Sequence, residues 1–203
     1  MAPKFHIQKG IPAGERERAA ALYWVAFSSK LGRVMRPEQK ALAFLAAAIN
    51  PDFGYAAIAQ DGRLLGVAGF KTSEGGLVGG GFRSLARVYG VLGAMWRAPL
   101  LALLERKLEP DLLLMDGICV APEARGLGIG AALLDAVVAE AEARGLTAVR
   151  LDVIDSNPRA RALYERKGFR PAGEETIGPL RWLFGFQTAT TLLKPVETSR
   201  AES

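Results

Sequence analysis

The sequence predicts one α/β domain, a mixed sheet of six or seven strands flanked by helices and interrupted by a helical insertion. Its 203 residues fit a single domain, and half of them are hydrophobic, which is enough to bury a full core. Short apolar segments typical of strands alternate with longer amphipathic segments typical of helices. The stretch 72–111, between two predicted strands, is too long for a turn and indicates an insertion.

The N-terminal half predicts a strand, two helices and a hairpin. KFHIQKG is the first predicted strand, and AAALYWVAFSSKL and RPEQKALAFLAAAI are the two predicted helices. Pro37 suits the first turn of the second helix, and Asn50-Pro51 suits its end. YAAIAQ and LLGVAGFK are separated by DGR and predict a β-hairpin that turns at Asp61-Gly62.

The C-terminal half predicts strands that alternate with helices. The insertion begins with glycines and continues as a helix or a helix pair with an apolar face. LLLMDGICV then predicts a strand buried on both faces, and the glycine-opened helix that follows ends near Gly145. AVRLDVI, FRPAGEETI and ATTLLKPV predict further strands, with a short helix, NPRARALYERKG, after the first of them.

Composition and charge exclude several classes of function. The formal charge is +5 and the pI about 9.6, but basic residues alternate with acidic ones and form no long run with aromatics. The sequence therefore predicts no nucleic-acid partner. The single cysteine, Cys119, excludes an internal disulfide and a cysteine-based zinc cluster, and no metal is expected.

The sequence also predicts a cytoplasmic protein without a membrane partner. The most membrane-like stretch, 88–104, is interrupted by Arg97 and Pro99 and is shorter than the ~20 apolar residues that a span needs. The segment MAPKFHIQKG lacks the apolar core of a secretory signal.

Glycines open the predicted helix after LLLMDGICV. Gly126, Gly128 and Gly130 occupy its first turn, directly after Arg125, although each helical glycine costs roughly 1 kcal/mol relative to alanine. The order strand, loop, helix, strand forms a βαβ unit, whose helix N-terminus offers free N–H groups and partial positive charge. Small residues let a phosphate approach these groups, and Arg125 adds charged donors. We therefore expect a phosphate-bearing ligand.

More than one cofactor fits this loop. The sequence lacks G-x-x-x-x-G-K-[ST], which excludes a P-loop. Gly126, Gly128 and Ala131 satisfy the dinucleotide fingerprint G-x-G-x-x-A, with Asp152 or Asp155 at about the right distance for a ribose. Against this alternative, APEAR separates the glycines from the strand, and the remaining chain is too short to complete a doubly wound domain.

Two motifs together resemble a known family. V-A-P-E-A-R-G-L-G-I-G-A-A-L-L is similar to the acetyl-CoA-binding motif R-x-x-G-x-G of the GCN5-related N-acetyltransferases, with Arg125, Gly128 and Gly130 at its fixed positions. Downstream, N-P-R-A-R-A-L-Y-E-R-K-G-F resembles the second signature of this family. Its matching positions are Asn157, Ala160, Leu163, Tyr164, Gly168 and Phe169. The resemblance is close from Leu112 to Phe169, whereas the stretch 72–111 departs from the common family pattern.

The resemblance implies the acyl-CoA N-acyltransferase fold, with a mostly antiparallel sheet, and acetyl-CoA as co-substrate. The pyrophosphate would rest on the N–H groups from Arg125 to Ala131, and the pantetheine arm would pair with the strand ICV. The expected cofactor-binding residues are Ile118, Cys119, Val120, Arg125, Gly126, Leu127, Gly128, Ile129, Gly130, Ala131, Asn157 and Tyr164. Gly117 suits a bulge or a close backbone approach, or simple packing. Asn157 is also a natural N-cap before Pro158.

Tyr164 is the candidate general acid. Attack of an amine on a thioester expels a thiolate, whose reference pKa is about 8.5. A neutral tyrosine, with a pKa of about 10, can donate a proton to the leaving sulfur. A tyrosine that only packs in the core is the alternative interpretation.

Asp116 is the candidate general base. It is a lone carboxylate in an apolar strand, where burial would raise its pKa toward a useful range. Strand alternation predicts that it shares a face with Ile118 and Val120. Asp152 and Asp155 are further acidic candidates, a buried Asp116 could be purely structural, and a water chain could serve as base.

Aromatic residues of the first helix and of the insertion are candidates for the acceptor site, although they could equally be core. They are Tyr23, Trp24, Phe27, Phe82, Tyr89 and Trp96. The apolar helix of the insertion could cover the acceptor pocket or mediate dimerisation.

The sequence predicts a single domain over 1–196, with a helical insertion at 72–111, an acetyl-CoA-binding core at 112–170 and a polar tail at 197–203. The predicted activity is acetyl transfer from acetyl-CoA to a small-molecule or peptide amine. Direct attack in a ternary complex is expected because no plausible activated cysteine is present. An NAD(P)-dependent oxidoreductase and a non-catalytic CoA-binding module are the alternatives, and a homodimer is compatible with the sequence.

Overall fold

The computed structural model describes residues 5–103, 108–178 and 181–197. Its strands are β1 (Phe5–Lys9), β2 (Gly54–Ala59), β3 (Leu64–Thr72), β4 (Gly75–Gly76), β5 (Leu112–Val120), β6 (Ala148–Ile154), β7 (Arg170–Thr176) and β8 (Thr188–Pro195). Its helices are α1 (Arg16–Met35), α2 (Glu38–Ala48), α3 (Phe82–Ala102), α4 (Ile129–Ala143), α5 (Pro158–Arg166) and α6 (Arg181–Phe184). Of the predicted polar tail, only Glu197 lies within the described residues.

One sheet forms the centre of the described structure. Its strands follow the order β1-β2-β3-β5-β6-β8-β7, and the short β4 pairs with β3 beside this path. The pairing of β5 with β6 is parallel and the other pairings of described strands are antiparallel, which confirms the predicted mixed, mostly antiparallel sheet. The sheet has eight strands rather than six or seven because Gly75 and Gly76, in the first residues of the predicted insertion, pair with Thr72 and Lys71.

Helices α1 and α4 pack against the middle of the sheet, at β3 and β5. The buried side chains of α4 recur along one face of the helix, as expected for an amphipathic helix on a sheet. They include Leu133, Leu134, Val137, Val138 and Ala141. This packing fixes the start of α4, with its glycines, beside the end of β5.

The insertion contains two helical segments that meet at Gly90. Gly90 has φ +74° and ψ +165°, which interrupts the helix within α3, so of the two predicted possibilities, a helix or a helix pair, the structure has the pair. The insertion is fixed to the end of α1: the Tyr89 hydroxyl donates to the Met35 carbonyl at 2.6 Å, and the Arg97 guanidinium donates to the Val34 carbonyl at 2.9 Å. None of the helices in the described ranges, α3 included, is long and apolar enough to cross a bilayer.

A buried carboxylate joins the far end of α4 to the first two strands. Glu140 is 5% exposed and accepts hydrogen bonds from Lys9 Nζ at 2.7 Å, the Tyr55 hydroxyl at 2.6 Å and Arg144 Nε at 2.7 Å. Burial alone would raise the pKa of Glu140, but these hydrogen bonds outweigh it and lower the pKa to about 2. The cluster therefore holds an ionised carboxylate inside the fold.

Candidate active site

Strand β5 loses one of its neighbours halfway along its length. Its parallel ladder with β6 ends at Met115, and no described strand continues that edge. On the other edge, Gly117 lies opposite Gly69 of β3 and Met115 lies opposite Phe70. Asp116 is therefore an extra residue, which makes this position a β-bulge at the point where β5 and β6 part.

The bulge changes which side chains share a face of β5. Strict alternation predicted Asp116 on the face of Ile118 and Val120, but the bulge interrupts the alternation on which this prediction depends. Residues opposite each other on paired strands lie on one face, so the register with β3 places Met115 on the face of Ile118 and Val120. The extra residue shifts the alternation by one position.

Gly117 follows the bulge and lies under α1. Its φ is +152°, and a Cβ built on it would come 2.4 Å from Cζ of Phe27. The backbone conformation and the close approach of the ring both favour glycine. The bulge expected at this glycine is present, and so is the alternative, which is packing against a bulky neighbour, Phe27.

A cleft of about 550 Å³ lies between β5, the start of α4, α5 and α1. Its lining brings together residues of both sequence motifs. Those predicted from the sequence are Ile118, Cys119, Val120, Arg125, Gly126, Gly128, Ile129, Gly130, Ala131, Asn157 and Tyr164. Leu127 is the exception, because it is half-buried and packs against the hydrophobic core.

The three glycines of the loop differ in what they do. Gly126 and Gly128 have φ of +86° and +81°, so their backbone conformation requires glycine. Helix α4 begins at Ile129 with Gly128 as its N-cap, so the expectation that all three lie in the first turn is wrong. Gly130 does lie in that turn, and a Cβ there would sit 3.4 Å from Leu163 Cδ2 at the cleft.

The start of α4 is suited to an anion. Helix α4 has 15 residues and no acidic residue in its first turn, so its first N–H groups and its dipole favour negative charge at the cleft. Arg125, Arg159 and Arg166 line the same cleft. The sequence did not identify Arg159 and Arg166, because nothing in the spacing of α5 shows that they face the glycine loop.

Asn157 has a structural role that the sequence allowed. Its Oδ1 accepts a hydrogen bond from the Ala160 N–H at 3.2 Å, which caps α5 directly before Pro158. Asn157 also lines the cleft. Its role as N-cap is confirmed, and a role in ligand binding stays a prediction.

Tyr164 lies in the cleft wall beside Cys119. The tyrosine is 7% exposed, and burial, with a smaller contribution from Cys119, raises its pKa. Burial also raises the pKa of the Cys119 thiol to about 12. At neutral pH the phenol therefore keeps its proton, and Cys119 is a protonated thiol rather than a nucleophilic thiolate.

A second cavity, of about 220 Å³, lies on the other side of Gly117 along β5. Asp116 and Asp152 line it, together with Tyr23 of α1. Burial raises the pKa of Tyr23, and the nearby charge of Asp116 raises it further. Asp155 lines neither cavity, and its carboxylate accepts hydrogen bonds from the backbone N–H groups of Gln187 and Thr188 at the start of β8. Within the described ranges, no group of three or more metal-ligating side chains is placed to hold an ion.

The aromatic candidates separate into three groups. Tyr23 and Phe27 line the second cavity and stack at 4.3 Å between ring centroids. Trp24 and Tyr89 are buried in the core. Phe82 and Trp96 are exposed on α3 and line neither cavity.

The geometry does not favour the dinucleotide alternative. That fingerprint belongs to a parallel, doubly wound sheet, in which the glycines follow the strand directly. Here β5 and β6 form the one parallel pair among the described strands, and a turn at Pro122–Ala124 separates β5 from the glycines.

Comparisons with known proteins agree with these features. The family model described as the acetyltransferase (GNAT) family matches residues 17–169. A 5-NmdU N-acetyltransferase of Pseudomonas phage PaMx11 is 46% identical over 61 residues, which cover 30% of this chain and 41% of that protein. The matched stretch is thus less than half of the phage protein.

Solved structures of acetyltransferases share the fold. The match to the crystal structure of an acetyltransferase covers 95% of this chain and 100% of the other chain, with a TM-score of 0.62 and 24% identity. A GCN5-related N-acetyltransferase from Kribbella flavida covers 95% and 98%, with a TM-score of 0.62 and 15% identity. The ribosomal-protein-S18-alanine N-acetyltransferase of Escherichia coli covers 98% and 99%, with a TM-score of 0.58 and 17% identity.

Proposed function

The chain belongs to the GNAT acetyltransferase family, and from this premise we propose that it transfers an acetyl group from acetyl-CoA to an amine. The observation that carries the proposal is the pair of cavities along β5, which lie on either side of Gly117 in the strand. One has an anion-binding helix start and the other has carboxylates. The amine attacks the thioester directly in a ternary complex, because Cys119 is held as a protonated thiol.

The cleft at α4 is the proposed donor site. The N–H groups at the start of α4 and the guanidinium of Arg125 bind the pyrophosphate. Residues Ile118–Val120 pair with β3 on one edge of β5. On the other edge, the pairing with β6 has already ended at Met115. The backbone groups on that edge pair with the amides of the pantetheine arm, in place of a neighbouring strand.

The reaction needs three proton transfers, because the acceptor ammonium loses two protons on becoming an amide and the departing sulfur gains one. Asp116, in the second cavity, takes the proton that the acceptor ammonium must lose before its nitrogen can attack. The new bond forms between that nitrogen and the acetyl carbon, and the carbon–sulfur bond breaks. Tyr164 donates its phenolic proton to the departing sulfur, and the resulting tyrosinate takes the second proton from the nitrogen of the new amide. Burial raises the pKa of Tyr164, which keeps the phenol neutral at neutral pH and favours its reprotonation.

The phage relative supports the reaction class and not a particular acceptor. Its name describes N-acetylation of 5-NmdU, and its match spans only 30% of this chain. The structural relatives are at most 24% identical in the comparisons above, so they support the fold alone.

Thermal unfolding in the presence of each candidate cofactor tests the proposal. Acetyl-CoA at about 100 times its Kd should stabilise the protein by about 2.7 kcal/mol and raise Tm by roughly 5–10 °C. NAD(P)H should leave Tm unchanged. Arg125→Glu should weaken acetyl-CoA binding about tenfold and therefore halve the stabilisation that acetyl-CoA gives. The matched change Arg83→Glu, at an exposed position of α3, should leave that stabilisation unchanged. Stabilisation by NAD(P)H and not by acetyl-CoA would overturn the proposal.

A further inference from the structure

We infer that the acceptor is a primary amine carried on an apolar group of about the size of a phenyl ring. The inference rests on the proposed acetyl transfer. The second cavity would hold the apolar group, and Asp116, at the bulge, would receive the ammonium.

Most of the residues that line the second cavity are apolar, and they come from several elements. They include Leu31 and Met35 of α1, Phe44 of α2, Leu101 of α3 and Met115 of β5. The volume of about 220 Å³ exceeds the roughly 150 Å³ that admits benzene in an engineered apolar cavity. Walls of this kind bind an apolar body through burial, and a hydrated polar chain would have to lose its water there.

The insertion contributes to these walls and sets their position. Leu101 extends from α3 into the lining, so the insertion forms part of the acceptor cavity. Hydrogen bonds from Tyr89 and Arg97 fix α3 to the carbonyls at the end of α1. The part of the chain that departs from the family pattern thus shapes the site where acceptors differ.

Carboxylates form the polar end of the cavity. Met115 and Leu151 are paired on the parallel strands, so Asp116 and Asp152 follow at the same level where β5 and β6 part. The Thr191 hydroxyl donates to Asp152 at 2.6 Å, which orients this carboxylate. Asp116 and Tyr23 of α1 line the same cavity, and the charge of Asp116 contributes to the raised pKa of Tyr23.

The charges at this end favour a single ammonium group. Lys30 and Lys71 also line the cavity, so its formal charge is balanced before an acceptor binds. One ammonium can lie against Asp116. A second ammonium on the same acceptor would add a further positive charge to a cavity in which Lys30 and Lys71 already balance Asp116 and Asp152, and its desolvation would not be repaid. A polyamine is therefore a poor fit, and an arylalkyl monoamine is a good one.

The test compares two primary amines of similar length, phenethylamine and 1,4-diaminobutane, as acceptors with acetyl-CoA. When turnover is measured by thiol release, kcat/KM for phenethylamine should be at least tenfold higher than kcat/KM for 1,4-diaminobutane. Calorimetry with the CoA-loaded protein should detect binding of phenethylamine, which gives a readout that does not depend on turnover.

Two variants of α3 test whether phenethylamine binds in the second cavity. Leu101→Gln puts a polar side chain into the cavity wall and should lower kcat/KM for phenethylamine at least tenfold. The matched variant Leu92→Gln changes the same residue type on the same helix at a position that is 81% exposed, and it should leave kcat/KM unchanged. Both variants should keep the Tm shift given by acetyl-CoA.

The outcomes separate the inference from the proposed function. A protein that acetyl-CoA does not stabilise would contradict the proposed function itself. A protein that binds acetyl-CoA but prefers 1,4-diaminobutane, or neither binds nor acetylates phenethylamine, would overturn the inference and leave acetyl transfer standing. If Leu101→Gln does not fold, the comparison of amines with the unmodified chain decides alone.

Discussion

Replacing Tyr164 with phenylalanine should lower kcat for acetyl transfer by about 100-fold, with a Kd for acetyl-CoA within about threefold of the unmodified value. The change removes only the hydroxyl, so the ring still fills its place against Phe169. What is lost is the proton donor for the departing sulfur. Steady-state thiol release gives kcat, and calorimetry gives Kd for acetyl-CoA.

Tyr23 supplies the matched control. It is a second tyrosine with a raised pKa, and Cys119 contributes to the shift in both cases. Tyr23 lines the acceptor cavity, so Tyr23→Phe should alter KM for the amine more than kcat. If Tyr23→Phe abolishes turnover and Tyr164→Phe does not, the acid has been assigned to the wrong tyrosine.

Replacing Glu140 with glutamine should lower the free energy of unfolding at pH 7 by about 3 kcal/mol. The carboxylate is 5% exposed and bonded to Lys9, Tyr55 and Arg144, so the variant leaves two cations without their buried counter-charge. Urea unfolding measures the loss. Glu142→Gln, an exposed position on the same helix, is the control and should change stability by less than about 0.5 kcal/mol.

The same carboxylate predicts how stability depends on pH. Its pKa falls from 4.5 in the unfolded chain to about 2 in the fold, so its contribution is complete above the unfolded pKa. The contribution is lost as pH falls from about 5 to about 2. At pH 3 the difference between the unmodified protein and Glu140→Gln should shrink to about 1 kcal/mol. A difference that stays constant between pH 7 and pH 3 would show that the ionised form is not what stabilises the fold.

Much of the fold could be predicted because its elements have strong local signals. The hairpin turn at Asp61-Gly62, the apolar strand β5 and the amphipathic helix α4 each follow from a short stretch of sequence. Helix α6, which has four residues, and strand β4, which has two, escaped prediction. Elements this short carry too few residues for a period to be visible, and tertiary pairing decides them.

The donor cleft could be predicted more fully than the acceptor cavity. The glycine loop and the α5 motif are local, and the positions they predicted meet in one cleft apart from Leu127. The acceptor cavity is built from α1, α2, α3 and three strands, so no single stretch of sequence contains it. The orientation of Asp116 could not be predicted either, because alternation assumes an unbroken strand and the bulge breaks it.

Direct transfer of an acetyl group from acetyl-CoA to an amine can be followed in a single experiment. The most direct measurement mixes the protein with acetyl-labelled acetyl-CoA, first alone and then with a set of primary amines, and follows the label on protein and amine by mass spectrometry. We predict an unlabelled protein in both mixtures, and N-acetylated amine formed in equal amount with free CoA thiol. Label that accumulates on Cys119 and then passes to the amine, or label that reaches no amine, would contradict direct transfer.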